Sequence, residues 1–177
     1  MRFFKTIFFI FLSFAIQNSA NAYLYILNDK CINDLYTQAD KDLKENEISV
    51  FRDSRGIILS LEIPLDKNGI YNFNSDFYKK IYIIKYFLAK IENPAIIEVH
   101  TKGFANNQVS NLRNWEVSTI IANNIETIIR GADKKSNRSK IKSVGYGEFL
   151  PTKNTPNNGG KYLNRVDIII LCNISGE

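Results

Sequence analysis

Ile96-Ile97-Glu98-Val99-His100, then a polar stretch, then Trp115-Glu116-Val117-Ser118-Thr119-Ile120-Ile121, is where one structural period gives way to another. Ile96 to His100 is a short apolar run, long enough for a strand and too short for a helix. Thr101 to Asn111 is polar, holds Gly103 and reads as a loop. Beyond it the period changes. Val117, Ile121, Ile125 and Ile128 recur at helical spacing, and Gly131 supplies a C-terminal stop, so the pattern predicts a helix from about Trp115 to Arg130. A helix with one apolar stripe must lay it against a sheet or another helix.

The same logic extends upstream. Ser75 is a good N-cap for an earlier helix. Phe77, Ile81, Ile84, Leu88 and Ile91 follow at helical spacing, and Asn93-Pro94 ends that element. Before it, Ile48 to Arg52 and Ile57 to Glu62 read as two strands around the turn residues Asp53-Ser54-Arg55-Gly56, and Pro64 to Gly69 is a loop. Cys31 to Glu45 is helix-compatible, with Ile32, Leu35 and Ala39 on one stripe. Downstream, Ala132 to Ser139 is a charged linker, Ile141 to Tyr146 a strand and Gly147 to Gly160 a loop. Val166 to Leu171 is an apolar run broken only by Asp167, as suits a buried central strand. The order β-β-α-β-α-β-β implies an α+β domain with helices packed on one side of a mixed sheet.

The N-terminus has a different character. Arg2 and Lys5 precede an apolar run from Ile7 to Ile16, and Ser19-Ala20-Asn21-Ala22 places small residues where a signal peptidase reads. That is the layout of a cleavable secretory signal over residues 1–22. The run is shorter than the ~20 residues of a spanning helix, so no transmembrane segment is expected in the mature chain. No lipobox surrounds Cys31, because Asn28-Asp29-Lys30 is polar. The expected division is 1–22 signal peptide, 23–46 lead-in with a short helix, 47–172 folded domain and 173–177 tail.

The chain has 177 residues and a formal charge of +5; Arg2 and Lys5 belong to the signal, so the remainder carries +3. That is too weak to argue for nucleic acid. The two cysteines, Cys31 and Cys172, could pair in an oxidising compartment, or one could stay as a thiol buried in the last strand. Only the Cα separation decides between these.

Catalytic chemistry finds little to stand on. His100 is the only histidine and has no acidic or cysteine cluster beside it in sequence, so a structural role is the expectation. No nucleophile elbow, phosphate loop or zinc spacing is present. Val144-Gly145-Tyr146-Gly147-Glu148 has two glycines but lacks the full dinucleotide fingerprint and reads as a strand end with a turn. Glu148 and Asp167 would make a carboxylate pair only if the fold brought them together. The expectation is a protein that is not an enzyme and has neither cofactor nor metal.

Several segments in series resemble the OmpA/MotB C-terminal domain family. Ser54-Arg55-Gly56-Ile57-Ile58-Leu59 is similar to its opening hairpin strand, and Tyr71-Asn72-Phe73-Asn74-Ser75 to the approach to its first helix. Ile97-Glu98-Val99-His100-Thr101 is similar to the strand ending in His-Thr-Asp. Asn114-Trp115-Glu116-Val117-Ser118 is close to the Asn-Trp-Glu-Leu-Ser that opens the second helix, in its MotB-like version. Val144-Gly145-Tyr146-Gly147-Glu148 with Pro151 and Thr155-Pro156, then Arg165-Val166-Asp167-Ile168, complete the series from about Ile48 to Leu171.

The resemblance implies a two-layer βαβαβ fold and non-covalent binding of peptidoglycan in the periplasm. In the family an Asp after His-Thr faces the ammonium of a diaminopimelate side chain, and an Arg on the second helix faces its carboxylate. Here Lys102 stands at the Asp position and Ile121 at the Arg position, and Leu163-Asn164-Arg165 stands where Asn-Arg-Arg is usual. Losing a buried charged partner costs ~2–5 kcal/mol of binding. The usual grip is therefore weakened at both ends.

Two readings follow. The domain contacts the cell wall in an altered way, with Lys102 and Arg165 on a stem-peptide carboxylate and Thr101, Gly103 and Ser118 offering polar atoms. Alternatively it is a protein-protein adaptor in a secretion or motility complex, its old pocket lined by Ile121 and Leu163 for an apolar partner group. Stator activity is set aside, because Ile7 to Ile16 lacks the length and the acid of a proton-conducting membrane helix. An outer-membrane barrel is excluded by the absence of serial alternating strands. Location in the periplasm, at the outer membrane or in an envelope complex, is the corresponding expectation.

Overall fold

The computed structural model describes residues 28–65, 71–101, 113–131, 140–149 and 164–172. The proposed signal, the 173–177 tail, Lys102, Gly103 and Leu163 lie outside these residues.

Residues 28–43 form helix α1, followed by a short 3-10 turn, Lys44–Asn46. Strands β1 (Ser49–Asp53) and β2 (Gly56–Glu62) make a hairpin. Helix α2 (Ser75–Leu88), strand β3 (Ala95–His100), helix α3 (Asn114–Arg130) and strands β4 (Ile141–Gly147) and β5 (Arg165–Leu171) follow. The five strands form one mixed sheet in the order β1-β2-β5-β3-β4, in which only β3 and β4 run parallel. The last strand is thus central, as suits a run that is apolar from Val166 to Leu171 except at Asp167.

Strand alternation sorts the side chains. Ile57, Leu59, Leu61, Ala95, Ile97, Val99, Val166, Ile168 and Ile170 point to the face that carries the helices, and all are buried in one core. α1 contributes Ile32, Leu35, Ala39 and Leu43, and α2 contributes Phe77, Ile81, Ile84, Phe87 and Leu88. Each such aliphatic burial stabilises the fold by roughly 1.5–3 kcal/mol. A disulfide between Cys31 and Cys172, with Cα atoms 5.8 Å apart, ties α1 to the end of β5. The pairing that the sequence left open is thereby decided.

Three local expectations are corrected. The side chain of Asn74, not Ser75, caps α2, accepting from the Phe77 amide at 2.9 Å. Ser75 is the first helical residue. α2 ends at Leu88, three residues before Ile91, which packs on the core from the following turn. On α3 the buried residues are Ser118, Ile121, Ala122, Ile125 and Ile129, while Val117 and Ile128 are only half-buried. The stripe is rotated because the helix faces glycines. A Cβ on Gly145 would collide with the Thr119 backbone and the Ser118 side chain, and one on Gly147 would lie 2.9 Å from the Trp115 nitrogen. The bare backbone of β4 lets α3 settle onto its Ser118 face.

Candidate functional site

The junction of β3, α3 and β4 is where the sequence placed the site. Thr101 follows β3 and is fully buried. Its amide donates to the Gly147 carbonyl at 2.9 Å, and its hydroxyl donates to the Asn114 carbonyl at 2.9 Å. The Tyr71 hydroxyl lies against the same side chain, and burial holds that phenol well above its ordinary pKa. Ser118, also fully buried, accepts from the Gly147 amide at 2.9 Å and donates to the Trp115 carbonyl at 2.9 Å. Thr101 and Ser118 therefore meet at Gly147, one on its carbonyl and one on its amide. Their hydrogen-bonding capacity is spent on holding strand ends to a helix start.

The start of α3 is fixed from outside as well. The Glu116 carboxylate accepts from the Arg113 amide at 2.6 Å, reaching back over an amide the helix itself leaves unpaired. That bond keeps the exposed carboxyl below its usual pKa range. The Arg113 guanidinium sits 4.8 Å from the centre of the Trp115 ring. Trp115 and Phe149 are both exposed, at 41% and 74%.

Ile121 is buried in the core at 4% exposure, so it does not line an open pocket. Arg165 does not join Thr101 and Ser118 either. It belongs to the opposite set of the strand alternation, with Asp167 and away from the Val166 and Ile168 that face the helices. The seven sequence-chosen residues thus divide: Thr101, Ser118 and Ile121 lie under the helices, Arg165 lies across the sheet, and Lys102, Gly103 and Leu163 are outside the described residues.

The far face of the sheet holds what the sequence reading missed. Glu98 and His100 on β3 and Arg165 and Asp167 on β5 are all buried. Arg165 Nε donates to Asp167 Oδ2 at 2.7 Å, and Ser60 Oγ donates to Asp167 Oδ1 at 2.6 Å. Arg55 Nη1 donates to Glu98 Oε1 at 3.1 Å, and its Nε donates to Asp53 Oδ1 at 2.8 Å. His100 Nε2 lies 3.5 Å from Asp167 and 3.9 Å from Glu98, and its ring stacks on Tyr146 with centroids 5.4 Å apart. Neither ring nitrogen has a hydrogen-bond partner among the described residues. Burial, reinforced by the Arg165 charge, lowers the His100 pKa to about 4, against the opposing pull of Asp167. Burial raises the Glu98 pKa, which Arg55 partly offsets. Spacing could have revealed this group: Glu98-x-His100 and Arg165-x-Asp167 are both i, i+2 pairs, each on one face of a strand.

The imagined Glu148–Asp167 pair does not fit this arrangement. Glu148 is exposed just after β4, whereas Asp167 is buried and engaged with Arg165 and Ser60. Among the described residues no group of three His, Cys, Asp or Glu could hold a metal ion. No described helix is long and apolar enough to cross a membrane.

No family model matches the sequence, and no curated protein matches it significantly. Solved structures do. A MotB-like protein from Desulfovibrio vulgaris aligns with a TM-score of 0.64 at 20% identity, over 85% of this chain and 98% of its own. The fold is that of the OmpA/MotB-like domains. The cell wall anchor of the T6SS from Pseudomonas aeruginosa aligns with a TM-score of 0.55 at 15% identity, over 77% of this chain and 96% of its own. The periplasmic domain of Helicobacter pylori MotB gives a TM-score of 0.55 at 17% identity, over 73% and 83%.

Proposed function

We propose that the protein is a non-enzymatic, exported OmpA-like domain that associates with the peptidoglycan of the cell envelope without the family's diaminopimelate grip. The carrying observation is the OmpA/MotB-like fold; the burial of Ile121, which the sequence resemblance sets at the arginine position, supports the altered mode. The solved relatives, a T6SS cell wall anchor and MotB periplasmic domains, support an envelope role. The buried, apolar Ile121 supports a changed mode of contact, since a carboxylate cannot be held there. Lys102 and Arg165 remain the proposed cationic contacts, and Gly103 and Leu163 remain members of the proposed altered site. Residues 1–22 are proposed as the export signal and 47–172 as the OmpA-like domain, with helix α1 of the 23–46 lead-in packed into its core, in a periplasm whose oxidising chemistry suits the Cys31–Cys172 bond.

Sedimentation with purified sacculi tests the reading. The mature protein is expected to pellet with sacculi, and free diaminopimelate is expected not to release it. Release by diaminopimelate would overturn the altered-mode reading, and no pelleting would overturn cell-wall association.

A second reading has its own observation. Trp115 at the start of α3 and Phe149 just after β4 expose two large aromatic side chains. Such anchors suit a protein partner in an envelope complex. Cross-linking from position 149 in cells would capture that partner, and its loss in Trp115→Ser and Phe149→Ser variants would favour an adaptor.

A further inference from the structure

Helix α2 buries Phe77, Ile81, Ile84, Phe87 and Leu88 and turns the opposite side outward. That side carries Tyr78, Tyr82 and Tyr86, spaced four residues apart and 40%, 47% and 68% exposed. At 100° per residue, the surface within roughly 60° of this row also holds Ser75, Ala89, Lys79 on one flank and Lys85 on the other. It holds no acidic residue. Asp76 and Glu47 engage Lys80, and Asp42 engages Lys90; Asp76, Glu47 and Glu45 also line a pocket with Lys79, on its side away from the tyrosines. The Lys85 ammonium donates to the Ile128 carbonyl and lies 5.7 Å from the Tyr82 ring centre. The result is an aromatic track about 12 Å long with a cation on each side.

The chemistry of that track selects its occupant. Tyrosine rings present an apolar body and a polar tip. Such a surface stacks on the faces of sugar rings while its hydroxyls exchange hydrogen bonds with theirs. The step of about 6 Å between successive tyrosines is close to the repeat of one sugar in an extended glycan. Flanking lysines favour a glycan that carries carboxylates. A membrane surface fits less well, because the row offers no aliphatic side chain to bury among acyl chains, and the neighbouring Phe73 is half-buried against the core.

We infer that the Tyr78-Tyr82-Tyr86 row of α2 is a glycan-binding track that lies along the carboxylated sugar strand of the cell wall. This rests on the cell-wall reading above and adds a contact separate from the β3–α3 junction. The glycan contact gives the domain a hold on the wall that does not require the stem peptide.

The probe is peptide-free glycan, prepared by removing all stem peptides from sacculi with an amidase. Its binding to the disulfide-bonded mature protein is measured by calorimetry beside intact sacculi and anionic phospholipid vesicles. The wild type is expected to bind the peptide-free strands. Tyr78→Ser/Tyr82→Ser/Tyr86→Ser is expected to lose at least tenfold in affinity with an unchanged far-UV spectrum, and Lys79→Glu about threefold with a weaker salt dependence. Should the triple variant misfold, Tyr86→Ser alone, at the most exposed ring, is expected to lose about threefold. Binding to intact sacculi but not to peptide-free strands would overturn the track and leave the cell-wall reading standing. Binding to neither would overturn both. Equal affinity in wild type and the tyrosine variants, or binding to vesicles alone, would also overturn the track.

Discussion

The Gly147 amide donates to the Ser118 hydroxyl across the β4–α3 contact at 2.9 Å, with both residues buried. A serine that would be counted as a ligand contact is thereby a structural latch. Its other bond, to the Trp115 carbonyl, holds it in the first turn of its own helix.

Ser118→Ala leaves the Gly147 amide buried without that partner, and a loss of about 1–2 kcal/mol is expected in urea unfolding. Gly145→Ala acts on the same contact by collision and is expected to cost about 3 kcal/mol or more, because the added methyl meets backbone that cannot turn aside. A Gly145→Ala protein as stable as wild type would disprove the close approach of α3 to β4.

Restoring the family's arginine at position 121 is expected to damage the fold before it restores any site. Ile121 lies in the core with Ile125 and Ala122. Ile121→Arg would bury a guanidinium with no assigned partner, at a cost of about 3 kcal/mol or more. Ile121→Leu, of equal volume, is expected to stay within about 1.5 kcal/mol of wild type. Thermal denaturation of the two variants side by side checks the contrast.

The Cys31–Cys172 bond closes a sequence separation of 141 residues. In the chain-entropy model a loop of that size contributes about 5 kcal/mol, with about 2–5 the measured range for native bridges. The Cys31→Ser/Cys172→Ser protein is expected to fall by that amount. Reductant should lower the midpoint of the wild type and leave the double variant unmoved.

Acid is expected to destabilise the domain through His100. The unfolded chain takes up a proton near pH 6.5, whereas the buried folded imidazole does so only near about 4. Between those values the unfolded state binds more protons, so stability falls as pH falls and levels off below about 4. The full effect is about 3 kcal/mol. Glu98, with a raised pKa, contributes in the opposite sense above its ordinary value. Subtracting a His100→Gln protein isolates the histidine. The difference in unfolding free energy between wild type and variant should change across this window, and a flat difference would refute the assignment.

Sequence alone determined the elements and their order. Apolar residues recur every two or every three to four positions because strands and helices have those periods, and each periodic run can bury only one way. Val166 to Leu171 was legible as a central strand because both of its faces are apolar or buried. The co-linear segments from Ser54 to Ile168 carried the resemblance to the OmpA/MotB fold for the same reason: they fill the positions that fold constrains. The tertiary structure decided what depends on distance between remote residues. It paired Cys31 with Cys172, moved Arg165 to the face opposite Ser118, set His100 between Glu98 and Asp167, and turned α3 so that Ser118 rather than Val117 meets the sheet. Local spacing shows only that Glu98 and His100 share one strand face, and Arg165 and Asp167 another. Each tertiary outcome follows from which strands become neighbours and from how closely a helix can approach a strand whose facing residue, Gly145, has no side chain.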